Sequence, residues 1–130
     1  MRVWHKYFLL VGLFYAMTAV ALGAFGAHGL KAVLTDMQLQ TFETAVRYQM
    51  YHALALIALS FVSQPFERKK WLTGCGLLCI GTAGFSCSLY AYIGTGLTGF
   101  AMVTPLGGSA LILGWIWLII AAWQGAGKTQ

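Results

Sequence analysis

Three residues of one short stretch, "RYQMYHALAL", could do chemistry: Tyr48, Gln49 and His52. A phenol, an amide and an imidazole offer donors and acceptors to a ligand, and an imidazole can exchange a proton near neutral pH. His28 stands in "GAFGAHGL", where a long uncharged stretch runs out. Ser86 and Tyr90 follow in "FSCSLY", and Thr104 precedes Pro105 in "VTPLGG". These seven side chains are the candidate ligand-binding set. Two histidines and a glutamine fall short of the three or four ligands a metal site wants. Cys75, Cys79 and Cys87 form no C-x-x-C motif, and an odd number inside an apolar run is no disulfide framework. No carboxylate pair, nucleophile with a base, or phosphate loop is visible. The sequence therefore predicts no catalytic residue, no metal and no cofactor, and a protein that is not an enzyme.

The elements that position these groups follow from composition. Of 130 residues, 59% are hydrophobic and 8% charged, where a soluble domain carries about 25% charged. A core this small could not hide so much apolar surface, so the chain reads as an integral membrane protein. The net charge of +5 sits at the ends of apolar segments. It therefore speaks for membrane orientation rather than for nucleic acid as a partner.

A crossing needs about 20 apolar residues. Four stretches of one transmembrane domain, 1–130, are predicted as spans: 7–25, 43–63, 72–93 and 103–123. The first resembles a secretory signal, but its apolar part exceeds the usual signal core, so a retained helix is expected. Arg2, Lys6, Arg68, Lys69, Lys70 and Lys128 fall on one side of this threading, and Lys31 and Arg47 on the other. That bias predicts an antiparallel, all-α four-helix bundle with both termini in the cytoplasm.

Local signals mark the ends. Thr35 with Gln38 reads as a capping box that starts the second helix at Asp36, and that helix is expected to run to about Ser63, before Pro65. Glu43 and Arg47, four apart, can pair. Thr104 reads as an N-cap and Pro105 as the first residue of the last helix. Trp4, Trp71 and Trp123 read as interfacial anchors, Trp115 and Trp117 as deeper packing residues, and His5 as solvated. Small residues read as close-packing seams: Gly12 and Ala16, then Ala19, Gly23 and Ala27, at four-residue spacings; Gly84 and Ser88, with Gly76, Gly81 and Ala83; and Gly107, Gly108, Ala110 and Gly114. These seams join the helices of one bundle, or one of them joins protomers. A homo-oligomer is expected, with a larger membrane complex as a possible further partner.

On a helical wheel, Thr41, Ala45, Tyr48, Gln49, His52 and Leu56 fall within an arc of about 100°. Cys75, Cys79, Thr82, Ser86 and Tyr90 form a second stripe. Antiparallel threading then gathers His28, Gln49, His52, Ser86, Tyr90 and Thr104 at one depth in the outer leaflet half. Such a cluster is either a hydrogen-bonded tie between helices or a site for binding or passing a small molecule, lipid headgroup or ion. The competing expectation is an accessory or assembly subunit that docks through its small-residue faces.

The motifs "ALGAFGAHGL", "FETAVRYQMYHALAL", "FSCSLY" and "TPLGGSALILGW" resemble those of the YgdD-like family of small inner-membrane proteins. That family is also known as domain of unknown function 423 and is similar to transmembrane protein 256 of animals. The resemblance covers nearly the whole chain. It implies a four-helix protein, with bacterial members in the cytoplasmic membrane, and implies no biochemical activity. The matching positions are Gly23, Phe25, Gly26, His28, Tyr48, Gln49, His52, Ser86, Tyr90, Thr104, Pro105 and Gly107. Cys87 stands where the family usually has glycine.

Overall fold

The computed structural model describes residues 3–62 and 66–128. Arg2, Ser63 and Pro65 lie outside the described residues. Short connections join four helices: α1, Val3–Leu30, whose last turn Gly26–Leu30 is π-helical; α2, Asp36–Ser60; α3, Arg68–Thr95, with a π turn at Ala83–Cys87; and α4, Thr98–Lys128. Three of them are long and apolar enough to cross a membrane: Val3–Leu30, Arg68–Thr95 and Thr98–Gly125. The remaining expected span, 43–63, falls on α2, which is less apolar than these three. Asp36, Glu43 and Arg47 keep α2 out of that set, although it lies alongside the others.

The capping box is as expected. Gln38 N–H donates to Thr35 Oγ1 at 3.2 Å, and Thr35 N–H donates to Gln38 Oε1 at 2.9 Å. Glu67 caps α3 by accepting from Lys69 N and Lys70 N. Gly96, at φ 71°, closes α3 in the left-handed region that glycine enters without strain.

The last helix starts at Thr98 rather than at Pro105, seven residues earlier than expected, with Pro105 inside it. Thr104 is thus a mid-helix residue, not an N-cap. An interior proline costs about 3 kcal/mol in water. In lipid, unwinding 98–103 would leave backbone groups without partners at several kcal/mol each, and continuing the helix wins.

Consecutive helices run antiparallel, and glycines set their approach. A Cβ on Gly12 would meet the Ala53 carbonyl at 3.0 Å, and one on Gly26 would strike the Phe42 ring. Gly74, Gly81 and Gly84 face Leu118, Leu111 and Gly107 in the same way. Most of the seams are therefore spent inside the chain. Gly76, Gly94 and Gly99 meet nothing.

Leu56, Trp71, Cys75, Leu78, Leu111 and Leu118 form the buried core. Leu10, Leu13, Phe14, Met17, Val20, Ile112, Ile116 and Ile119 face outward. An apolar exterior of this extent suits lipid, not water. Two end residues differ from expectation. Trp71 is 2% exposed, and its ring stacks on that of His5 at 4.4 Å. His5, expected to be solvated, is likewise buried, packed against that indole. Trp4 and Trp123 remain exposed near the helix ends.

Candidate functional site

Gln49 is the centre of the interior polar groups and is 4% exposed. Its amide donates to the Tyr15 carbonyl at 2.9 Å and to Thr18 Oγ1 at 2.7 Å. Its carbonyl oxygen accepts from the Tyr90 hydroxyl at 2.8 Å. Tyr15 donates its own hydroxyl to the Cys79 carbonyl at 2.8 Å. One side chain of α2 thereby ties α1 and α3.

His52, 7% exposed, makes a second knot. Its Nδ1 lies 2.7 Å from the Tyr48 carbonyl, and Trp115 Nε1 donates to its Nε2 at 3.1 Å. A carbonyl can only accept and an indole N–H can only donate. The imidazole is therefore held as the Nδ1–H tautomer, with Nε2 bare. Nitrogen NMR of labelled protein should show a protonated Nδ1 and a bare Nε2 on His52. Trp115→Phe should shift the Nε2 resonance and leave Nδ1 in place. A wild-type ring with protonated Nε2 would refute this assignment.

Two further bonds complete the set. Ser86 Oγ donates to the Ala45 carbonyl at 2.8 Å. Ser88 Oγ, which donates to the Phe85 carbonyl, lies 2.6 Å from Thr104 Oγ1, so Thr104 donates to it. The π turn at Ala83–Cys87 brings Ser86 and Ser88 to these partners; such turns insert one residue into the helical register.

The structure brings together Gln49 and Tyr90, and places Ser86, His52 and Thr104 in separate knots along the bundle. Two candidates fall outside them. The Tyr48 side chain is 42% exposed and stacks on Phe85 at 4.8 Å, and only its carbonyl joins a knot. His28 is exposed on the π turn, away from these knots. The contacts of Gly12 and Gly26 put His52 level with about Tyr15. His28 lies some twelve residues further along, roughly 18 Å at 1.5 Å per residue. The expectation of a single depth fails because helix register, not nearness to a chain turn, sets depth. Tyr15, Thr18, Ser88 and Trp115 were missed as partners. The hydroxyls of Tyr15 and Thr18, three apart in an apolar run, were the available signal.

Two cavities adjoin this framework. An apolar cleft of about 190 Å³ between α1 and α3 has Phe14, Leu22, Ala83 and Cys87 as walls, with Gln49 and Tyr90 behind. A groove of about 220 Å³ lies between α1 and α2, near the π-helical end of α1. Gly23, Gly26, Leu39, Phe42 and Val46 line it, and the exposed pair Glu43 and Arg47 stands on its rim. Those two pair at 3.6 Å, as their spacing predicted. Among the described residues no three His, Cys, Asp or Glu side chains gather as metal ligands.

Helices knotted by buried polar bonds beneath an apolar exterior define a small helical membrane protein. The chain belongs to the family described as Protein of unknown function (DUF423), which it matches over residues 22–108. It is 42% identical to the UPF0382 membrane protein YwdK of Bacillus subtilis over 118 residues, 90% of this chain and 96% of that one. It is also 42% identical to a UPF0382 membrane protein of Staphylococcus aureus over 122 residues, 94% and 99% of the two chains. A Staphylococcus haemolyticus relative is 39% identical over the same shares. No solved structure matches the chain.

Proposed function

We propose that this chain is a non-catalytic lipid-binding protein of the bacterial cytoplasmic membrane. It crosses four times with both termini inside, and it holds a membrane amphiphile in the groove between α1 and α2. The observation that carries this reading is an ion pair, Glu43–Arg47, on the rim of an apolar groove. Apolar walls suit acyl chains, and the charged rim suits a head.

The basic residues Lys6, Arg68, Lys69 and Lys70 gather at the opposite end. The positive-inside tendency puts that end in the cytoplasm and the groove in the outer leaflet. Binding moves away from the interior cluster because the polar atoms of Gln49, His52, Tyr90, Ser86 and Thr104 are engaged with protein partners. The oligomer and docking readings lose most of their support, since they drew on glycine seams that face neighbouring helices of the same chain.

Native mass spectrometry of protein released from mild detergent tests the reading. The wild type should carry one or more phospholipids. Gly23→Leu should lose them with little change in melting temperature, because the site of its Cβ meets only Val46, at 3.4 Å. A wild type free of lipid, or a variant that retains it undiminished, would sink the proposal.

A further inference from the structure

The two rim charges carry more information than the presence of a lipid. Glu43 and Arg47 are of opposite sign, and their side chains are 59% and 65% exposed. They are the charged residues lining the groove. An exposed pair of this kind contributes about 0–1 kcal/mol in water, so little holds the partners together against a better arrangement.

Depth removes the option of leaving them to water alone. Gly23 meets Val46 and Gly26 meets Phe42, so the pair lies level with about 23–25 of α1, five to seven residues below Leu30. At 1.5 Å per residue that is roughly 8–10 Å inside the end of the helix. The 28-residue segment Val3–Leu30 is roughly 42 Å long, against a hydrocarbon core of about 30 Å. Centred, it overshoots by about 6 Å at each end. The charges then fall within a few ångströms of the boundary where phosphates and glycerol backbones begin. Ions at that level are costly unless each finds an opposite charge or a hydrogen bond.

We infer that the groove takes a phospholipid with a zwitterionic, primary-amine head, its phosphate on Arg47 and its ammonium on Glu43. This rests on the lipid-binding reading above. The head carries its two charges on one short chain, and side chains four apart on a helix stand about 5–6 Å apart at Cβ. The ion pair opens, and each member exchanges its partner for a charge of the same sign as the one it gave up. A guanidinium grips phosphate with paired donors, and a carboxylate accepts from an ammonium N–H. Phosphatidylglycerol offers Arg47 a phosphate but gives Glu43 no cation. Phosphatidylcholine offers a cation without N–H donors. The order of preference is phosphatidylethanolamine, then phosphatidylcholine, then phosphatidylglycerol.

The test is competition among these three lipids, with identical acyl chains at equal concentration, on the full chain in nanodiscs, read by native mass spectrometry. Wild type should favour phosphatidylethanolamine over phosphatidylglycerol by about tenfold, the equivalent of one charge-assisted hydrogen bond. Glu43→Gln should erase that preference, Glu43→Asp should keep it, and Arg47→Gln should weaken all three lipids. Both residues are exposed, so folding is not at stake. Bound lipid without head preference, or a preference that Glu43→Gln leaves unchanged, overturns the head assignment alone. A chain that binds none of the three overturns the underlying reading as well.

Discussion

Replacing Gly107 by alanine is expected to unfold the protein, or to cost it at least about 3 kcal/mol, the upper end of ordinary overpacking. One methyl group suffices because of what it would strike. The Cβ would overlap the Phe85 amide nitrogen, and would lie 2.6 Å from the Gly84 carbonyl carbon and 2.8 Å from Phe85 Cα. All three atoms are backbone, so no side chain can swing aside. Helices α3 and α4 would have to part at the π turn, and the Ser88–Thr104 bond would break with them. Gly108 is the control. A Cβ there meets only ring carbons of Phe85, at 3.6 Å and 3.9 Å, which is ordinary contact. Gly108→Ala should be neutral or gain up to about 1 kcal/mol from helix propensity. Thermal unfolding in detergent, followed by circular dichroism, compares the two. Equal losses at 107 and 108 would refute the backbone-contact account.

The same contacts explain what could be read in the sequence and what could not. Helix α2 announced its start through Thr35 and Gln38, because a capping box is a local exchange of bonds. The wheel placed Gln49 and His52 inward, because a 100° step is a property of any helix. It could not say that Gln49 would reach Thr18 or that His52 would meet Trp115. Those partners depend on register between helices, across 31 residues of chain for Gln49 and Thr18 and 63 for His52 and Trp115. His28 was misjudged for the same reason. Thr104 and Pro105 were misjudged differently. Their local preference for a helix start is genuine, but it loses to the need to satisfy backbone groups in lipid. Glu43 and Arg47 were legible as a pair; the groove beside them was not, since it exists only where two glycines of α1 face α2.

The interior knot gives the second large effect. Gln49→Leu removes three hydrogen bonds at once, to Tyr15, Thr18 and Tyr90, and Tyr90→Phe removes one. Each buried group left without a partner costs about 1–3 kcal/mol, so Gln49→Leu should be the worse by a clear margin. The double variant should cost less than the sum, by about 0.6 kcal/mol and at most about 1.7 kcal/mol, the mean and the maximum that such cycles show inside membranes. Reversible unfolding in mixed micelles measures the cycle, and strict additivity would mean that the amide and the phenol do not interact. The cycle also separates framework from function. If the knot is purely a tie and the groove is the site, Tyr90→Phe lowers stability and leaves the lipid preference of the folded fraction intact. A Tyr90→Phe protein that melts like wild type but has lost its lipid would reverse the assignment, returning binding to the cleft that Gln49 and Tyr90 back.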